Sequence, residues 1–139
     1  MTDKHENTGL QSPVGQEILK LSQQLLTSIE KQDWAAYTEL CDNSLTAFEP
    51  EAVGNLVEGM PFHKFYFELE GSEAKRQSTI CSPHLRVMGD VAVITYIRLV
   101  QKAEPGGSPE SSACEETRVW QQQQNDRWQH VHFHRSPVG

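Results

Sequence analysis

From Gln16 to Lys31 the apolar residues Ile18, Leu21, Leu25, Leu26 and Ile29 recur at three- and four-residue intervals, the stripe of an amphipathic helix that needs a surface to cover. Asp33 stands where an N-cap would open a second, short helix from Trp34 to Cys41, with Trp34, Tyr37, Leu40 and Cys41 on one face and Asp42-Asn43-Ser44 as its end. Leu45 to Phe48 reads as a strand stopped by Glu49-Pro50, and Asn55 to Glu58 as a strand returning across Gly54. Pro61 suits the first turn of a helix running to Glu70, so crowded with Phe62, His63, Phe65, Tyr66 and Phe67 that nearly all of it should be buried.

Period-two patterning then takes over. Gln77 to Met88 is a long strand with Pro83 at a bulge, joined by a tight Gly89-Asp90 connection to Val91 to Lys102. The PGGSP-containing stretch from Ala103 to Ser111 is a surface loop, and Ser112 to Gln124 and Arg127 to Arg135 are the last two strands, paired across Asn125-Asp126. Helices first and hairpin-joined strands last predict an α+β domain, a long N-terminal helix packed on one face of a curved antiparallel sheet. Residues 1–15 are polar and aperiodic and read as a flexible tail, 16–136 as the domain, and 137–139 as a C-terminal tail.

Composition removes several classes. The chain has 139 residues, enough for one domain with a substantial core. Its three cysteines, Cys41, Cys81 and Cys114, are odd in number and lack CxxC spacing, so neither a disulfide framework nor a thiolate zinc site is expected, and a reduced, cytoplasmic setting is. The apolar run from Val91 to Ile97 is far too short to span a bilayer, and no membrane partner is expected. A formal charge of -7 argues against nucleic acid, whose phosphates select clustered Lys and Arg.

Alternation along the last strands puts Glu116, Arg118 and Trp120 on one side, Val131, Phe133 and Arg135 on one side of the partner strand, and Arg98 on a face with Ile94 and Tyr96. Arginine beside large apolar groups is either snorkelling to water or held in a pocket that wants negative charge. His130, His132 and His134 alternate too, which places them together on the face opposite Arg135. Two of them would need a third ligand that no neighbouring strand offers at a matching spacing, so no metal is assigned, and the face is instead expected at the surface or at a subunit contact, titrating near pH 6.5.

Four blocks in order, LTAFEPEAVGNLVEGMPFHKFYFE, VAVITYIRLVQ, EETRVW and WQHVHFHRS, make the chain resemble the association (hub) domain of calcium/calmodulin-dependent protein kinase type II. It departs from the family pattern at Pro61, Lys64 and Arg86 and in a longer, glutamine-rich turn before Trp128. The resemblance implies a cone-shaped, nuclear-transport-factor-like fold and a homo-oligomer, a two-tiered ring usually of twelve or fourteen subunits. It also implies tethered kinase domains and a linker as partners, a calmodulin-binding kinase as the parent chain, no cofactor, and no catalytic residue within the domain.

The resemblance further implies that Arg98, Arg118 and Arg135 project into the cone's pocket near His63 and Tyr37. Two such charges about 7 Å apart repel by roughly 2 kcal/mol at an effective dielectric near 20. Glu116, other structural carboxylates, or a bound small carboxylate or acidic peptide must offset that. Related cone folds host isomerases and dehydratases, for which His63, Tyr37 and Glu116 would be the acid-base groups, but the sequence signals positive charge rather than an acid-base pair. The aromatic helix exceeds what one small domain can cover, so Phe62 and Phe65, with Phe133 and His130, are expected at a subunit interface. The alternative is a free-standing cone-fold protein that binds a small molecule or acidic peptide and carries no kinase.

Overall fold

The computed structural model describes residues 9–71 and 73–138. Helix α1 spans Pro13–Glu30 and α2 Trp34–Leu40. Strand β1 (Cys41–Phe48), a 3-10 turn at Pro50–Ala52, β2 (Val57–Glu58) and α3 (Pro61–Phe67) follow, and then β3 (Lys75–Met88), β4 (Val91–Ala103), β5 (Glu110–Gln122) and β6 (Trp128–Pro137). The six strands form one curved, open sheet in the order β2-β1-β6-β5-β4-β3.

Helix α1 begins three residues before the apolar stripe suggested, because Ser12 caps it by accepting from the Gly15 amide at 2.9 Å and Pro13 occupies its first turn. The stretch read as tail therefore joins the domain from Leu10 onward: Leu10 and Val14 pack against the core, whereas residues 1–8 lie outside the described residues. Gly15 is required there, since a Cβ would sit 2.3 Å from the Gly9 carbonyl oxygen. Ile18, Leu25 and Leu26 are fully buried where α1 lies across β3 and β4, each worth about 2 kcal/mol of burial. Ser22, also fully buried, accepts from the Trp120 indole N–H at 3.1 Å. Ser22→Ala should cost about 1 kcal/mol in urea unfolding, the cost of orphaning that donor; an unchanged midpoint would mean the bond contributes nothing.

Asp33 caps α2 as expected, accepting from the Ala36 amide at 3.1 Å. Strand β1 starts at Cys41, earlier than Leu45, because Asp42-Asn43-Ser44 forms an Asx turn (Ser44 N–H to Asp42 at 2.9 Å) inside the strand rather than ending the helix. That turn falls where the pairing with β6 slips, between Cys41↔His130 and Thr46↔His132. The β1–β6 pairing is parallel, the one departure from the antiparallel sheet. Turn signals dictate direction only for strands joined by a hairpin, and β1 and β6 are joined by none. Pro83 does sit at a bulge, between Cys81 and His84 on edge strand β3, where a missing N–H costs nothing.

A second bulge rearranges β6. Val119 pairs with His132 and Trp120 with His130, leaving Val131 as the extra residue. Trp128 and His130 therefore point inward with Phe133, and His132 and His134 point out beside Phe48. The three histidines do not share a face. One sheet face is sealed by the helices; on the other, Val93, Thr95, Ile97, Thr117 and Val119 remain half-exposed.

Candidate functional site: an arginine-carboxylate cavity

A cavity of about 480 Å³ opens between the C-terminal end of α1, helices α2 and α3, and the inner face of β4, β5 and β6. Arg98, Arg118, Arg135, His63 and Tyr37 all line it. Glu116 lies behind the wall, 2% exposed, and joins two of the arginines. Arg118 reaches its carboxylate at 3.1 Å and Arg98 at 3.2 Å. The Tyr96 hydroxyl donates to Glu116 at 2.5 Å while accepting from the Arg118 Nε–H at 2.9 Å. Arg98 also pairs with Glu30 and donates to Ser78 Oγ at 2.9 Å. Arg135 is held by Glu51 and, at 3.4 Å, by Glu49.

Three guanidinium groups thus meet four carboxylates, which removes the like-charge repulsion an uncompensated trio would carry. Burial would raise the Glu116 carboxyl, but Arg118 and Arg98, with the Tyr96 hydrogen bond, overcome it and hold the group at about 2. Arg118, fully buried, is raised further above its usual range despite burial, chiefly by Glu116. Its guanidinium carbon lies 4.5 Å from the centroid of the Phe133 ring, a cation-π contact strengthened by exclusion of water.

The inward turn of His130 extends the network. Arg118 Nη1 approaches His130 Nε2 at 3.4 Å and Cys41 Sγ approaches Nδ1 at 3.4 Å. A guanidinium only donates, so Nε2 must carry the lone pair and Nδ1 the proton. Burial, then Arg118, holds His130 well below the usual histidine range, and burial pushes the Cys41 thiol up to about 12. That pair is a neutral core contact and no thiolate nucleophile. Burial and then Arg118 and Arg135 push His63 down to about 4, with Nδ1 3.5 Å from Glu49 and Nε2 unpartnered. Burial raises Tyr37 well above an ordinary phenol. None of these groups is poised to exchange protons near neutrality.

The expected interface residues separate into two pairs. Phe133 and His130 are 3% and 0% exposed and belong to this chain's own core. Sequence alternation had put His130 outside because the Val131 bulge is invisible to it. Phe62 is partly buried against the core, and Phe65 is 61% exposed with Tyr66 beside it at 5.2 Å between ring centroids. Only His63 of α3 is buried, so the helix is far less enclosed than its aromatic content suggested. Glu30, Glu49, Glu51, Ser78 and Tyr96 were not anticipated. The available signal for Glu30 was its place four residues after Leu26, on the buried stripe of α1.

Among the described residues no three metal-ligating side chains converge, and no helix is long and apolar enough to cross a membrane. Residues 14–139 match the family model for the calcium/calmodulin dependent protein kinase II association domain. The chain is 52% identical over 124 residues to the delta subunit of calcium/calmodulin-dependent protein kinase type II from Oryctolagus cuniculus, a match covering 87% of this chain and 23% of that one. It thus spans about a quarter of that relative's length. Among solved structures, the Chlamydamonas reinhardtii CamKII hub homology domain superposes with a TM-score of 0.84 at 45% identity, covering 91% of this chain and 99% of that one. A nuclear transport factor 2-like protein from Salmonella enterica shares the fold alone, with a TM-score of 0.73 at 24% identity over 89% of this chain and 90% of its own. Cone fold, aromatic third helix and buried arginine network together accompany a match across nearly the whole described chain: it belongs to the calcium/calmodulin-dependent protein kinase II association (hub) domain family.

Proposed function

We propose that the chain is an oligomerisation hub, assembling with copies of itself into a two-tiered ring of twelve or fourteen subunits that holds tethered kinase domains together. Linking many copies turns encounters between them into intramolecular ones, which speeds trans-phosphorylation with no catalytic residue in the hub itself. The observation that carries this is the exposed aromatic surface of α3, Phe65 at 61% and Tyr66 at 37%, on a chain whose sheet also leaves one apolar face half-covered. Multi-angle light scattering tests it. The wild-type chain should run as a large particle, and Phe65→Asp should shift it to dimers or monomers with little change in melting temperature, because this side chain is mostly exposed and its ring meets Tyr66, itself exposed. A monomeric wild type would sink the hub reading and favour a free-standing binding protein.

The cavity supports a second reading, that it takes small carboxylates or acidic peptide. Arg135 and the aromatic wall of Phe133, Phe67 and Tyr66 favour it: guanidinium offers bidentate hydrogen bonds to a carboxylate, and the rings accept a planar apolar body. A short aromatic acid should raise the melting temperature by an amount growing with its concentration.

A further inference from the structure

The three arginines are not equally available. Arg118 is fully buried and Arg98 is 5% exposed, and their donors are taken by Glu116, Glu30, Tyr96 and Ser78. Arg135 instead faces the cavity from its rim, its side chain 19% exposed, and its principal partner Glu51 is 37% exposed. Both Glu51 oxygens accept from Arg135 Nη2. Glu51 sits in the 3-10 turn Pro50–Ala52, whose backbone hydrogen bonds run only to its immediate neighbours: Ala52 N–H to Glu49, Val53 N–H to Pro50 and Asn55 N–H to Ala52. The turn ends at Val53, 84% exposed and left-handed at φ 51 and ψ 51, a conformation β-branched residues rarely adopt, followed by Gly54 at φ 87.

We propose that Glu51 is an internal stand-in for the ligand's carboxylate. In the empty chain it occupies Arg135, and an acid entering the cavity displaces it into solvent by a swing of the turn about Val53 and Gly54. This rests on the carboxylate reading of the cavity and adds what regulates it. A carboxylate tethered this close competes at an effective concentration of millimolar or more, and the fraction of chains with Arg135 free scales the apparent affinity of any acid. Exchanging one carboxylate for another gains nothing at the guanidinium, so net affinity comes from the rest of the ligand against the rings of Phe133, Phe67 and Tyr66. Glu51 thereby selects acids with an aromatic body over bare carboxylates.

Titration calorimetry with 3-phenylpropanoate and with acetate tests this on the intact chain. Glu51→Gln should bind 3-phenylpropanoate about tenfold more tightly than wild type and should gain measurable acetate binding. Arg135→Gln should abolish binding in either background. Glu70→Gln removes an equal charge from the same wall, whereas the ion pairs of Arg135 run to Glu49 and Glu51, and should change little; if it tightens binding as much as Glu51→Gln, the effect is general field and the inference fails. If wild type binds 3-phenylpropanoate and Glu51→Gln binds it no better, Glu51 is no competitor while the carboxylate reading stands. If neither chain binds, that reading fails and takes this one with it. Should Glu51→Gln not melt cooperatively, Glu51→Asp, one methylene short of Arg135, must show the same tightening.

Discussion

Glu116→Gln is expected to lower the unfolding free energy by about 3–5 kcal/mol, the range for removing one partner of a buried ion pair. Among the described residues Glu116 is the only carboxylate that Arg118 touches, and it also receives Arg98 and Tyr96. Without its charge, a fully buried guanidinium and a nearly buried one face each other across a neutral amide. Arg118→Met should cost less, because Glu116 keeps Arg98 and the Tyr96 hydroxyl, and methionine fills much of the space over Phe133. Urea unfolding of the two variants decides it; a loss under about 1 kcal/mol for Glu116→Gln, the scale of an exposed pair, would show the network to be screened by water. The pH sense follows from a carboxyl held at about 2 against an unfolded value near 4.5. Its stabilisation is complete above 4.5 and is lost as pH falls through about 2.

Acid should unfold the chain well before that, through two histidines. His63 is pushed down to about 4, and His130 well below 6.5, so the unfolded chain takes up protons that the folded chain refuses. Stability is therefore full above pH 6.5 and falls as pH drops from 6.5 toward 4, by up to about 1.4 kcal/mol per pH unit for each histidine. Between pH 6.5 and 4.5 His63 alone should remove roughly 2 kcal/mol, and His130 adds to the decline in the same sense. Glu49, raised by burial, works in the opposite sense and trims the slope, since the folded chain holds that proton more readily. Unfolding free energies measured from pH 7 to 4.5 should show the decline, and His63→Gln and His130→Gln should each flatten it whatever they do to stability at pH 7. Parallel curves for wild type and both variants would refute the assignment. Burial, then His134, also holds His132 below the usual histidine range, so it adds to the decline in the same sense.

Much of the fold was legible because periodicity reports which residues want burial. The stripe of α1, the Asp33 cap, the Pro83 bulge and the tight turn at Gly89-Asp90 each follow from a local cause. What escaped depends on partners distant in sequence. The Val131 bulge has no signature of its own, since nothing about His130-Val131-His132 distinguishes a bulge from plain alternation, and that single extra residue moved His130 from the surface to the core. Arg98, Arg118 and Arg135 were found with the resemblance's help, yet their partners were not, because Glu30 approaches from a helix and Glu49 and Glu51 from a turn that only the fold brings near. The aromatic content of α3 was read as near-complete burial, with Phe62 and Phe65 at a subunit contact; Phe65 and Tyr66 are left outside this chain's own core because a seven-residue helix can turn only one side toward it.

Strand β6 sits in the middle of the sheet with β1 on one side and β5 on the other, although it is the last strand of the chain. Without it the sheet does not lose an edge but parts into β1-β2 and β3-β4-β5, and a two-stranded ribbon such as β1-β2 does not persist alone in water. Synthesis then delivers the central strand after both of its neighbours: β1 waits with an open edge until β6 is made. Closure of that long loop costs chain entropy before any contact repays it, and it makes the C-terminal segment the step on which folding turns.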